Sequence, residues 1–309
     1  MNWLRRKVPP QQAALCIDAA NVHAVQVVRP REGLPAVRLC HSEPIRGNAL
    51  SALQRMGATL GLQGFACGAV LVRQECRLLM VEKPNVPAEE VREAVRWRLP
   101  GMIDYPPEQA VVDTLPVAID LEGGNHATSM YAVTAERQRV AALTEQFRRC
   151  EIPLRTIDVA DLALRNLAAL FAEPGAGVAM AWFDAQGSGI VFVAGGELCL
   201  VRHLDATLAE VREALTSDQE FQFVRIELAL QRALDHFDRN FTAVPINRLL
   251  LAPFADAAEL AARLTGHLSL PVVPADLGRV LDLTAAPQLR MPERACELLV
   301  TLGAALRPH

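Results

Sequence analysis

Zinc-spaced cysteines, a membrane-length apolar run and a large excess of charge of either sign are all lacking in this chain of 309 residues. Its seven cysteines include no Cys-x-x-Cys pair and no Cys/His cluster at ligand spacing, so no metal site is expected. Cys16, Cys67 and Cys199 sit inside apolar runs, where a reduced thiol behaves as a small hydrophobe, and a reducing cytoplasm is the simplest setting. No uninterrupted apolar stretch reaches the ~18 residues that a membrane span needs. A formal net charge of −4 removes the electrostatic case for nucleic acid as a partner. The first residues, Met1-Asn2-Trp3-Leu4-Arg5-Arg6-Lys7, are basic but lead into Pro9 and Pro10 rather than an apolar core, which argues against a signal peptide. Such a tail reads as a frayed terminus in preference to a membrane-surface foot built on Trp3 and Leu4.

What the chain does contain is one pattern stated twice. Ala13-Ala14-Leu15-Cys16-Ile17 is an apolar strand that ends in Asp18, passes through the small turn Ala19-Ala20-Asn21 and continues as a second apolar strand from Val22. Val178-Ala179-Met180-Ala181-Trp182-Phe183 likewise ends in Asp184, turns through Ala185-Gln186-Gly187-Ser188-Gly189 and resumes at Ile190. A chain of this length is expected to divide into two lobes. Two such hairpins predict a duplicated α/β fold, with a cleft between the halves and the aspartate turns facing it.

The remaining pattern fills in the lobes. Strands are expected over 13–18, 22–28 and 36–40, a helix over 49–62 ended by Gly61 and Gly64, and strands over 69–71 and 77–82. Pro87 opens a helix predicted over 88–99, with Glu89 and Glu90 in its first turn and Arg92, Arg96 and Arg98 later, an order that suits the helix dipole. Val91, Val95 and Leu99 give that helix one apolar face. A strand over 110–115, a loop with Gly123-Gly124-Asn125, a strand over 129–133, a helix over 135–150 and a strand over 154–159 complete a βαββαβ unit. This unit is expected as a subdomain inserted over 81–159, so that the first lobe comprises 12–80 and 160–176. The linker Pro174-Gly175-Ala176-Gly177 leads to a second lobe over 177–309, with a Gly195-Gly196 turn, a long helix over 217–241, a strand over 248–251, a helix over 256–264, a strand over 271–273 and a closing helix over 292–306.

Two aspartate hairpins in two lobes, with a subdomain inserted in the first, resemble the actin-like (ribonuclease H-like) ATPase fold. Within it the chain is similar to the PilM/MshI group of type IV pilus biogenesis proteins, relatives of FtsA and of the cytoplasmic domain of GspL. Glu89-Glu90-Val91-Arg92-Glu93-Ala94-Val95-Arg96-Trp97-Arg98-Leu99 with Ile103-Asp104-Tyr105-Pro106 carries part of the likeness. The rest lies in the run from Ile226 through Leu230-Gln231-Arg232-Ala233-Leu234-Asp235-His236-Phe237 to Pro245-Ile246-Asn247-Arg248-Leu249-Leu250-Leu251, and in the tail Leu302-Gly303-Ala304-Ala305-Leu306-Arg307. It extends over nearly the whole chain.

The resemblance implies a cytoplasmic scaffold at the inner-membrane face, part of a pilus machine of the mannose-sensitive haemagglutinin (MSHA) type. It implies attachment through a PilN/MshJ-like bitopic inner-membrane protein, contact with other pilus components, and a groove lined by the insert for the partner's cytoplasmic N-terminal segment. Arg92, Arg96, Trp97 and Tyr105 are the expected contacts; Trp and Arg are residue types that anchor interfaces, although a helix face of mixed charge also reads as simply solvated.

For a nucleotide, the resemblance implies ATP with Mg²⁺ at Asp18, Asn21, His23, Asp184, Gly187, Ser188, Gly189 and Gly303. Glycine- and serine-rich turns let backbone N–H groups cradle phosphates. The first turn here has no glycine, and His23 stands where the family tends to carry a lysine. Leu251 is followed by Ala252-Pro253 in place of a glycine pair, and proline has no N–H to offer. The expectation is a degenerate site with no catalytic residue, no required cofactor and no enzymatic activity. The alternative is a working ATP-binding protein whose nucleotide state regulates pilus-complex assembly. Read without the family, Asp18 and Asp184 cap their own turns and His23 is an ordinary histidine. Gly187-Ser188-Gly189 lacks the strand-elbow-helix setting of a nucleophilic serine, and a sugar or acetate kinase would need a further acid/base constellation.

Overall fold

A computed structural model describes residues 12–117, 129–185, 187–216 and 220–307. The basic tail, the Gly123-Gly124-Asn125 loop, Gln186 and the expected start of the long helix at 217 lie outside the described residues.

The first hairpin runs as β1 (Gln12–Ile17) and β2 (Asn21–Val28), and β3 (Ala36–Pro44) extends it antiparallel. Helix α1 (Ala49–Leu60) begins where the Asn48 side chain accepts a hydrogen bond from the Ser51 amide at 2.9 Å, and ends at Gly61, whose φ of 64° favours glycine. Its Ala52, Leu53 and Met56 are buried against Leu15, Val22 and Ala24 of the sheet. β4 (Ala66–Leu71) returns parallel to β1. The chain then leaves this sheet for β5 (Cys76–Glu82), α2 (Val91–Arg96), β6 (Ala110–Pro116), β7 (Ser129–Glu136) and α3 (Arg137–Arg149). It comes back as β8 (Leu154–Val159), parallel to β4, which completes the order β3-β2-β1-β4-β8.

The second half follows as α4 (Ala160–Ala169), β9 (Gly177–Asp184), β10 (Gly187–Ala194), β11 (Glu197–Leu204), α5 (Leu208–Thr216) and α6 (Glu220–Asn240). β12 (Ile246–Leu251), α7 (Ala257–Leu264), β13 (Val272–Pro274) and α8 (Pro292–Ala305) complete it. Its sheet has the order β11-β10-β9-β12-β13, with the same strand senses as the first. The hairpin repeated in the sequence therefore supplies two strands of a five-stranded sheet that is itself repeated in space. Residues 178–183 and 190–193 are buried at every position, as strands covered on both faces must be.

Several expectations are corrected. β5, placed in the first lobe by sequence, pairs with β7 and forms the three-stranded antiparallel sheet β5-β7-β6 of the insert. β8, expected to close a βαββαβ insert over 81–159, belongs instead to the first lobe's sheet. A parallel step from β4 to β8 requires a crossover, and α3 is its last piece: Phe147, Cys150 and Ile152 are buried in the first lobe's core. The helix expected over 88–99 forms only as the six residues of α2, flanked by turns in which the Glu90 amide donates to the Pro87 carbonyl and the Arg98 amide to that of Val95; Val95 and Leu99 still bury in the insert. The long helix is α6, preceded by a separate α5.

The lobes also exchange their helices. α4 packs on β9, β10 and β11, whereas α8 packs on β1, β2 and β4, so each crosses to the sheet of the other half. The bounds 160–176 and 177–309 therefore follow the chain but not the packing layers. Among the described residues no helix is long and apolar enough to cross a membrane.

Candidate functional site

The turns after β1 and β9 open onto one cavity of about 300 Å³ between the lobes, closed on one side by α8. This lies at the bottom of the range of roughly 300–1,000 Å³ for small-ligand sites. Asp18, His23, Arg73, Asp184, Phe254 and Glu297 line it.

Asp18 faces its own turn. Its Oδ1 accepts hydrogen bonds from the amides of Ala20 at 2.7 Å and Asn21 at 2.6 Å, while Oδ2 lies 2.9 Å from His23 Nε2. Asn21 contributes backbone to this turn: its carbonyl accepts from the Asp18 amide at 3.0 Å. The buried His23 ring carries the chain of hydrogen bonds on to Ser42 Oγ, 2.7 Å from Nδ1. Burial pushes the Asp18 carboxyl up, but the hydrogen bonds from His23, Asn21 and Ala20 together outweigh it and hold it below its ordinary value of 3.8. A depressed carboxyl contributes stability above the ordinary value and loses it as pH falls through the folded one. Asp18→Asn is therefore expected to be less stable than the parent at pH 7, with a gap that narrows below pH 3.8. Urea unfolding at pH 7 and pH 3 checks this, and an equal gap at both would contradict it.

Across the cavity, the cation facing Asp184 is supplied by the chain itself. Arg73, just after β4, places its terminal nitrogen 3.6 Å from Asp184 Oδ2 and its Nε 3.7 Å from Asp161 Oδ1. Its guanidinium lies 4.3 Å over the buried Trp182 ring, a cation–π arrangement. One first-lobe side chain thus bridges to β9 of the second sheet and to α4.

The other expected phosphate ligands are engaged in the fold. The Ser188 hydroxyl is buried and donates to the carbonyl of Ala206 at 2.5 Å. Gly189 leaves room for the indole of Trp182 on the neighbouring strand; a Cβ would sit 2.2 Å from it. Gly187 has φ 149°, and a Cβ there would meet Arg73 at 3.5 Å. Gly303 is remote in role: a Cβ would lie 2.1 Å from the Ala163 carbonyl oxygen, so its absence lets α8 cross α4. After β12, the Ala252 amide donates to Ala181 at 2.7 Å, and the buried Phe254 stacks edge-on against Phe183. The cavity wall carries four carboxylates, Asp18, Asp184, Glu293 and Glu297. Its two arginines are occupied, Arg73 as above and Arg212 with Asp256 at 2.9 Å. Among the described residues, each arginine of the lining therefore has a carboxylate beside it. Among the described residues no cluster suited to a metal ion occurs.

The insert presents a second concavity. A groove of about 480 Å³ runs between the first lobe and α3, with an apolar floor of Ile17, Val70, Val72 and Leu143 and an ion pair, Arg139–Glu75 at 3.6 Å, at its edge. None of the four expected partner contacts lines it. Arg92 pairs with Asp113 at 3.1 Å on the outer face of β6, Arg96 pairs with Glu93, and the half-exposed Trp97 donates its Nε1–H to Glu93 at 2.9 Å. Tyr105 packs into the insert's core, its hydroxyl 3.0 Å from Thr134 Oγ1. The groove's α3 residues carried no signal of their own, since Ala142, Leu143 and Gln146 read as part of an ordinary helix.

All seven cysteines are free, and burial pushes the thiols of Cys16, Cys67 and Cys199 up to about 12, which makes them inert packing groups.

No family model and no curated protein matches the chain. Among solved structures, it is similar to a chain of the PilM-PilN type IV pilus biogenesis complex, with a TM-score of 0.72 and 22% identity over 96% of this chain and 99% of that one. It is also similar to the cytoplasmic domain of EpsL, an inner-membrane component of the type II secretion system of Vibrio cholerae, with a TM-score of 0.55 and 12% identity over 97% and 96% of the two chains. A Bacteroides thetaiotaomicron protein of unknown function with an actin-like ATPase fold matches with a TM-score of 0.51 and 10% identity over 89% and 93%. The chain has the two-lobed actin-like fold.

Proposed function

We propose that this chain is a scaffold of type IV pilus assembly that acts at the cytoplasmic face of the inner membrane and binds the cytoplasmic N-terminal segment of a PilN/MshJ-like bitopic protein. The observation that carries this reading is the similarity to a chain of the PilM-PilN complex over 96% of this chain and 99% of that one. The groove between the first lobe and α3 is where the segment would lie, because its lining combines apolar side chains with the polar Gln74, Glu75, Arg139 and Gln146, as suits an amphipathic peptide. Titration with a PilN-like N-terminal peptide tests the reading. Binding is expected at micromolar peptide, with Leu143→Arg weakening it roughly tenfold, about 1.4 kcal/mol, and Trp97→Ala leaving it within about twofold. No binding at high micromolar peptide would refute it.

The cleft is read as a relic. Its turn amides are bound to Asp18, its serine to the backbone and its arginines to carboxylates, which supports a protein that neither requires nor hydrolyses ATP. The surviving pair Asp18 and Asp184 around one cavity is what favours the second reading, nucleotide-regulated assembly. A ligand that binds the folded state raises its unfolding midpoint. Millimolar Mg-ATP is expected to leave the melting temperature unchanged; a rise that disappears in Asp18→Ala and Asp184→Ala would establish the nucleotide-regulated form instead.

A further inference from the structure

Helix α6 turns Ile226, Leu230, Ala233 and Phe237 into the second lobe's core, yet its opposite face is apolar too. Phe221 is 76% exposed, Val224 39% and Leu228 41%. At about 100° per residue these three fall within about 60° of one another, over a length of ~10 Å. One turn further along the same face stands Arg232, and two turns beyond that Arg239.

Beside these arginines, between α6 and the end of β11, lies a shallow pocket of about 310 Å³ that Arg202, His203 and His236 also line. The Arg202 guanidinium donates to His236 Nε2 at 2.8 Å, which holds both side chains on the pocket wall. Among the described residues no carboxylate lies within ion-pair distance of Arg202, Arg232 or Arg239, and Asp205 is the one acid in the lining. Three arginines gathered with no direct ion pair among the described residues stand out in a chain of net charge −4. Set at the end of an exposed apolar stripe, they define a two-part surface: a dry strip and a basic socket.

We propose that this surface docks an acidic amphipathic helix of a partner protein. Apolar side chains of that helix, at spacings of three and four, cover Phe221, Val224 and Leu228. An aspartate or glutamate about one turn further on enters the pocket, where a guanidinium holds a carboxylate through paired hydrogen bonds. The charge favours a protein segment over a lipid surface. Asp235 lies on the same face between Arg232 and Arg239, and Asp238 is exposed beside it, so an anionic membrane would meet carboxylates as well as arginines. A concave socket also suits one carboxylate better than a plane of headgroups. The surface is on the second lobe, apart from the groove beside α3, and the proposal does not rest on what that groove binds.

The test is fluorescence anisotropy of the full chain with three labelled four-turn helical peptides. They share one leucine spacing and end in three glutamates, three glutamines or three lysines. The expected order is Glu over Gln over Lys, with at least tenfold, ~1.4 kcal/mol, between the extremes. Leu228→Glu is expected to weaken the acidic peptide at least tenfold, and the double variant Arg232→Glu/Arg239→Glu to reverse the order in favour of lysine. Both alter exposed side chains, and an unchanged melting temperature shows that they fold. The proposal is overturned if no peptide binds below about 1 mM, or if all three bind alike. It is equally overturned if the chain prefers phosphatidylglycerol vesicles in a manner that Leu228→Glu abolishes, or if light scattering shows that this variant instead splits a dimer of the chain.

Discussion

Alanine in place of Gly303 is expected to lower the unfolding free energy by about 3 kcal/mol or more, at the upper end of what overpacking costs. The reason is the identity of the atoms in the way. A Cβ at this position would lie 2.1 Å from the carbonyl oxygen of Ala163, 2.5 Å from its carbonyl carbon and 3.2 Å from its Cα. These are backbone atoms in the middle of α4, so no side-chain rotation relieves the clash, and the two helices must separate. Separation would loosen both lobes at once, because α4 lies on the second sheet and α8 on the first. It would also break the hydrogen bond that the buried Asn166 amide donates to the Gly303 carbonyl at 3.0 Å. Gly64→Ala provides the control: nothing lies within 4 Å of its Cβ position, and a change within about 0.5 kcal/mol is expected. Urea unfolding of the two variants decides it, and equal stability of Gly303→Ala and the parent would mean that the helices do not cross there.

Arg73→Met is expected to cost about 2 kcal/mol, somewhat less than the removal of one partner from a fully buried ion pair. Methionine keeps the packing over Trp182 and deletes only the charge. What remains is Asp161, buried in α4, and the less enclosed Asp184, both deprived of the cation that reaches them from the first lobe. The separations of 3.6 and 3.7 Å are longer than a direct hydrogen bond, which lowers the cost of losing the cation. Converting Asp184 to asparagine in the Arg73→Met background is expected to recover part of the loss, since the charge that faced Arg73 is then gone. Chemical unfolding of the single and double variants measures this coupling, and strictly additive effects would show that Arg73 and Asp184 do not interact.

Both expectations bear on the difference between an actin-like fold and an ATPase. In this chain the two aspartate turns survive, but the groups around them have been drawn into holding the lobes together. Arg73 supplies the positive charge beside Asp184, Ser188 ties β10 to the segment before α5, and Gly303 joins α8 to α4. These contacts join the two lobes at the cleft, and two further concavities lie beside α3 and along α6.

The duplicated hairpin was legible because its signal is local. A short, continuous apolar run that ends in aspartate and a small turn, followed at once by a second such run, specifies a pair of strands within about twenty residues, and the structure repeats it in both sheets. The turn chemistry was legible for the same reason: a turn of Ala19-Ala20-Asn21 states without coordinates that no glycine cradle is present. Roles that depend on atoms distant in sequence were not. Gly303 is a glycine because of Ala163, and Gly189 because of Trp182, contacts that no spacing reveals. Arg73 stood in no motif and is placed between two aspartates only when β4 lies next to the second lobe. Strand β8 was assigned to the insert because it follows α3, whereas its partner β4 lies more than eighty residues earlier and the pairing is set by core burial.

The sequence by itself therefore determined the duplicated α/β architecture, the inert buried thiols and the loss of glycine from the first turn, since each is a property of neighbouring residues. Only the tertiary structure decided that the helices exchange lobes, that Arg73 faces Asp184, and that the insert's groove is built by α3 rather than α2. Those are consequences of how the two sheets are brought together, and packing across the lobes leaves no periodicity in the chain that produces it.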